Sequence, residues 1–299
     1  MASAIVRQGD VSGRLGAHVA AQQILTLYAR TLGMPVPTNR EDYTVIRQRI
    51  AEIPEDSEAV KTARTSATLC YDILVRNDYT AFERMPSGSM DVILNASTRS
   101  MPAFRTAAAQ AAVSPLANTV NAYIEQVNVY LAETGKPPIP LHEGIQPEYV
   151  RSNYRQLSRA LHTDAWQDIG TPDQLEPLKG AQAFINEAYP LLRHFTSGDY
   201  ETAIASRQQV QALRETARHV FGPFKAAFGS LAARRSAQVS EQLKTLGEQI
   251  ASETKKHPER TKEEQRPALL RAFRRTACLA SDARLPPCDR NPGTARCWG

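Results

Sequence analysis

The sequence predicts an all-α fold: two helical lobes, then a long C-terminal helix with a short coiled-coil seam and a disordered tail. Three observations lead there. Apolar residues recur at spacings of three and four along most of the 299-residue chain. No stretch alternates apolar and polar while rich in β-branched types, as a strand would. Alanine, the strongest helix former because it loses no side-chain entropy, occurs in runs such as Ala107-Ala108-Ala109 and Ala111-Ala112.

The first lobe, residues 1–135, opens with a helix over about Ala17–Leu32 that turns Ile24, Leu25, Tyr28 and Leu32 inward. Gly33 stops it, and Pro35 and Pro37 cannot continue it. Thr38 or Asn39 caps a short helix carrying Tyr43, Ile46, Ile50 and Ile53, and Asp56-Ser57 precedes another carrying Val60, Leu69, Ile73 and Leu74. Asn77–Met90 reads as a loop around Pro86-Ser87-Gly88, and two short helices are expected over about Asp91–Thr98 and Ala103–Val113. Ser114-Pro115 then reads as a capped start of a new helix, with Leu116, Val120, Tyr123, Ile124, Val127 and Leu131 on its apolar face, ending near Gly135.

Residues 136–146 form a Pro-rich linker around Gly135-Lys136-Pro137-Pro138-Ile139-Pro140, because proline fixes φ and has no N–H to donate. The second lobe, 147–222, holds helices over Pro147–Leu161, Thr171–Phe195 (interrupted near Gly180) and Asp199–Phe221. A long helix occupies 223–254, starting at Pro223. It places Val239, Leu243, Leu246 and Ile250 at coiled-coil spacing, the expected surface for self-association. Residues 255–299 change character and read as a charged, largely disordered tail.

Composition narrows function. The chain is 42% hydrophobic and 22% charged, which is a globular balance. No apolar run reaches membrane-spanning length and the first ten residues do not read as a secretory signal, so a soluble cytoplasmic protein without membrane contacts is expected. From Ala251 onward there are 11 basic and 6 acidic residues. Subtracting these from totals of 36 and 31 leaves 25 of each, so the net charge of +5 belongs to the tail and any anion site in the body must be local. Cys278, Cys288 and Cys297 lack the close pairing of a zinc site, so neither metal nor other cofactor is expected. No phosphate-binding loop, dinucleotide fingerprint, zinc-protease helix or serine elbow occurs, which argues against an enzyme. His162-Thr163-Asp164 could pair a base with a carboxylate, yet it sits at a helix end where Thr163 and Asp164 serve as capping residues.

Two arginine rows are the chemistry that stands out. Arg151, Arg155 and Arg159 follow one another at every fourth residue and fall within about 80° on a helix. Val150, Tyr154, Leu157 and Leu161 cluster roughly 130° away, so the helix buries one side and shows guanidinium groups on another. Arg207, Arg214 and Arg218 fall within about 40°. Arg193, Lys225, Arg234 and Arg235 add charge to the same half. A guanidinium donates two parallel hydrogen bonds to a phosphate, and Tyr149 or Tyr154 could stack a base, so a groove between the lobes lined by these rows suits single-stranded RNA. The competing interpretation is that both rows are solvated faces paired with nearby acids.

The end of the chain adds a resemblance. Leu269–Arg275 reads Leu-Leu-Arg-Ala-Phe-Arg-Arg before the composition degrades, and Phe273-Arg274 is the dipeptide that a UUU-CGN slip site encodes. With the helical body and the seam Val239–Ile250, this resembles the first open-reading-frame product of amalgaviruses, double-stranded RNA viruses of plants and fungi. The resemblance implies a nucleocapsid-like coat protein, akin to nucleoproteins of segmented negative-strand viruses, with a frameshift fusing it to a polymerase. It implies RNA and further copies of itself as partners, in the host cytoplasm or virion. No RNA-contact residue follows from it. The alanine-rich RNA-coating proteins of polymycoviruses are similar to a lesser degree, since serine and proline are only moderate here. The alternative function is a helical interaction or scaffold protein, such as a bacterial effector, with no nucleic-acid role and the last helix as its partner surface.

Overall fold

The computed structural model describes residues 2–54, 57–86, 88–142 and 145–256, and among them there is no strand. The helices are α1 (Ala2–Thr31), α2 (Arg40–Ala51), α3 (Glu58–Tyr71), α4 (Thr80–Glu83), α5 (Ser89–Glu133), α6 (Pro147–Leu161), α7 (Pro172–Thr196), α8 (Tyr200–Ala205) and α9 (Arg207–Lys256). The fold is all-α and ends, among the described residues, in a long helix.

Local signals set several helix ends. Asn39 caps α2: its side chain accepts from the Asp42 N–H, while the Asp42 carboxylate accepts from the Asn39 N–H. Ser57 caps α3 through the Val60 N–H. Gly33, with φ of +67°, takes the left-handed turn after α1 that a Cβ would strain. α1 itself starts earlier than its apolar pattern, at Ala2 rather than near Ala17.

The middle of the chain departs from the sequence expectation. The short helices over 91–98 and 103–113 and the helix after Ser114 are a single helix, α5, which passes through Pro102 and Pro115. Each proline removes one backbone bond and crowds the preceding turn, a cost of about 3 kcal/mol. Burial of Phe104, Val113, Leu116 and Val120 offsets it, at roughly 1.5–3 kcal/mol each. Ser114 does not cap anything, since its hydroxyl donates to the Gln110 carbonyl one turn back. The region read as a loop holds α4 and the start of α5.

Two more expected breaks are absent. α7 runs through Gly180, where an added Cβ would lie 3.4 Å from Val220, so this glycine marks the close approach of α7 and α9. α9 starts at Arg207 rather than Pro223 and continues through Pro223, with Phe224 and Phe228 fully buried beyond it. Its described end, Lys256, lies past the boundary at which the tail was expected, and residues 257–299 lie outside the described residues, with Phe273-Arg274 and three cysteines.

One contiguous hydrophobic core joins both halves. α5 is its axis, packing on α1 and α3 at one end and on α7, α8 and α9 at the other. Tyr123 on α5 stacks on Phe184 of α7 and Phe224 of α9, with ring centroids 4.9 and 5.0 Å away. The Pro-rich segment lies against this axis. Asn128 accepts from the Ile139 N–H at 2.7 Å and donates to its carbonyl at 2.9 Å, while Asn121 accepts from the His142 N–H and Asn153 donates to the Pro140 carbonyl. Ile139 is consequently only 2% exposed.

Candidate nucleic-acid interface

α6 forms because proline occupies its first turn, where a missing N–H costs nothing, and because its apolar face has a place to go. Val150, Leu157 and Leu161 are buried, while Arg151, Arg155 and Arg159 are exposed, the division that their spacing predicts. No carboxylate among the described residues forms an ion pair with any of the three. The row is thus a line of solvated guanidinium groups rather than a set of surface ion pairs.

The second row is different. Arg207 donates to Glu52 at 2.6 Å, and Glu52 also lies 3.9 Å from Arg49. This triad sits at the mouth of a cleft of about 360 Å³ between the ends of α1 and α2 and the α8–α9 junction, floored by Ala108, Ala111 and Ala112. Arg218 pairs with Glu215 on its own helix at 2.8 Å. Arg214 is half-buried.

The two rows sit on different helices. α6 packs on α7, and α9 packs on α7 and α5, so the rows are carried by helices that meet α7 separately. Of the additional cations, Arg234 and Arg235 hold structure. Arg234 donates to the Ile169 carbonyl at 2.7 Å. Arg235 grips Asp168 at 2.7 and 2.9 Å and the Ala165 carbonyl at 2.6 Å, and its hydrogen bond and charge hold the Asp168 carboxyl below its ordinary range. Together they fasten the connection 162–171 onto α9. Arg193 and Lys225 are exposed.

His162-Thr163-Asp164 forms a tight 3₁₀ turn, and His162 rather than Thr163 or Asp164 is its cap: Nδ1 accepts from the Asp164 N–H at 3.3 Å. Both side chains are exposed. Among the described residues no three His, Cys, Asp or Glu side chains cluster as metal ligands would, and no helix is long and apolar enough to cross a membrane.

Beside the free row the structure places a feature that spacing alone misses. Tyr154 stacks on Tyr189 of α7, with ring centroids 4.3 Å apart and planes 20° from parallel, and its hydroxyl donates to Asn186 at 3.2 Å. Tyr189 carries no sequence signal, because it precedes Pro190 and reads as one more apolar position of α7. The other stacking candidate, Tyr149, is half-buried at the start of α6. In the slot that the pair lines, buried His142 has no hydrogen-bond partner at Nδ1 among the described residues, and burial pushes its pKa down to about 4.

The seam residues fall on the outer part of α9. Leu243 is 51% exposed, and Val239, Leu246 and Ile250 are half-buried. Comparison with protein-family models, curated proteins and solved structures finds no match to this chain.

Proposed function

We propose that this chain is a nucleocapsid-like protein that coats single-stranded RNA without sequence preference and associates with copies of itself, in the cytoplasm of a virus-infected cell. The observation that supports it is the row Arg151, Arg155 and Arg159, exposed on one face of α6 and free of ion-pair partners among the described residues. An arginine already paired with a carboxylate must lose that pair to meet a phosphate; an unpaired one exchanges only water and counterions. Arg207 and Arg218 are paired, so they rank below the α6 row, and Arg214 joins them as a secondary contact. Val239, Leu243, Leu246 and Ile250 supply the contact between copies.

The test is fluorescence anisotropy with a labelled single-stranded RNA. Three phosphate contacts lower log K by about 2 per decade of salt, so fourfold more salt weakens binding by roughly 20-fold. Charge reversal of Arg151, Arg155 and Arg159 to glutamate is expected to abolish binding at low salt. Unchanged affinity in that variant overturns the assignment. A second function, a helical interaction protein without a nucleic-acid role, is favoured by one observation, the exposure of Leu243 on an outer stretch of α9. It predicts a discrete complex through that stretch and no affinity for polyanions.

A further inference from the structure

We infer that the stacked Tyr154–Tyr189 pair is a base platform, so that the α6–α7 hairpin binds whole nucleotides of an unpaired strand rather than a bare polyanion. This rests on the RNA-coating function proposed above and adds the part of the ligand it recognises.

The geometry comes from how two antiparallel helices meet. α6 and α7 are joined by the connection 162–171, and Tyr154 touches both Asn186 and Tyr189. Arg151 lies one turn before Tyr154 on α6, and Arg193 one turn after Tyr189 on α7. In an antiparallel pair those turns are at the same end, so two exposed arginines flank one end of the aromatic pair. Arg193, like Arg151, has no ion-pair partner among the described residues.

The pair itself is half-buried on both sides, so each ring is held in place yet reaches solvent. Asn186 is exposed and accepts the Tyr154 hydroxyl through Oδ1, which leaves its amide N–H groups to donate outward. A base lying on the rings would find this donor at its edge, and the flanking arginines would find the phosphate.

The inner side of the pair is closed to a base. His142, 5% exposed, lines with the two tyrosines a slot of about 10 Å³. The slot is too narrow for a base while the rings are stacked, so the base lies on the outer face of the pair.

Phosphate-only binding and nucleotide binding differ in one readout. A single-stranded RNA and an inorganic polyphosphate of equal charge are titrated against the full chain. With a base platform, RNA binds about tenfold tighter per stacked base. A 2-aminopurine base in the RNA loses emission on binding, because stacking quenches it. Changing Tyr154→Leu and Tyr189→Leu together lowers RNA affinity to the polyphosphate level and restores the emission. Tyr154→Phe and Tyr189→Phe keep the rings and retain RNA affinity.

Equal affinity for RNA and polyphosphate, or an RNA loss in the phenylalanine variants as large as in the leucine variants, overturns the platform while leaving the arginine row standing. Loss of both ligands when the arginine row is reversed supports that row independently. If the wild-type chain binds neither RNA nor polyphosphate, the platform falls together with the function it rests on.

Discussion

At the scale of single residues, His142 shows how a buried polar group couples the fold to pH. It is 5% exposed, and burial lowers its pKa from 6.5 to about 4. Between those values the unfolded chain holds a proton that the folded chain refuses, so stability falls as pH drops through this window. Below about 4 both states are protonated and the loss from this group is complete, reaching about 3 kcal/mol. Thermal unfolding at pH 7.5 and pH 4.5 is expected to show this loss, and His142→Leu to flatten it. An unchanged pH profile in His142→Leu rules His142 out as its source. The arginines make the complementary point. Spacing reveals that Arg151, Arg155 and Arg159 share a face, and the exposed row bears this out. Spacing does not reveal partners, and Arg207 finds Glu52 from a helix 155 residues away in sequence. Tyr189 was invisible for the same reason, since its stacking partner lies on another helix.

At the scale of elements, helix faces and the capped ends at Gly33, Asn39 and Ser57 were readable, while the expected breaks at internal prolines were not there. The inward residues of α2, α3 and α6 follow directly from their period, as Ile46, Ile50, Val60, Leu69, Val150 and Leu157 show. Pro115 and Pro223 read as helix starts because proline suits the first turn and is costly in an interior, yet α5 and α9 absorb them, as α5 does Pro102, through tertiary burial on both sides. Propensity is local and burial is not, so the sequence signal for a break was overruled by contacts it could not contain. The outer stretch of α9 is the reverse case. Its apolar seam keeps coiled-coil spacing, and Leu243 remains 51% exposed. Leu243→Lys is accordingly expected to change stability by no more than about 0.5 kcal/mol, because about half of the residue stays in water and a lysine stem can cover the same surface. The same variant is expected to abolish self-association in sedimentation velocity. Oligomers that persist in Leu243→Lys place the contact between copies elsewhere.

At the scale of the whole molecule, the division at Gly135–Pro140 marks a turn in the chain while the core continues across it. α5 spans both halves, and its second part is covered by α7 and α9: Tyr123 stacks on Phe184 and Phe224, and Tyr130 meets Trp166 and Phe228. A fragment of residues 1–135 leaves Tyr123, Ile124, Val127 and Tyr130 without their partners and is expected not to fold alone. A chain of 299 residues is longer than those that usually unfold in one step, since long chains split into separate cores. Here a single buried axis ties the halves together, and losing either half exposes it. Trp166 is buried where the second half packs on Tyr130 of α5, so in a Trp298→Phe variant its fluorescence reports that local packing, while far-ultraviolet circular dichroism reports all the helices. The two signals are expected to change together in a denaturant titration, and Tyr123→Ala to shift both by the same 3–5 kcal/mol that large aromatic truncations typically cost. Separate midpoints for the two signals mean that the halves unfold independently, and α5 then acts as a tether between two cores instead of the axis of one.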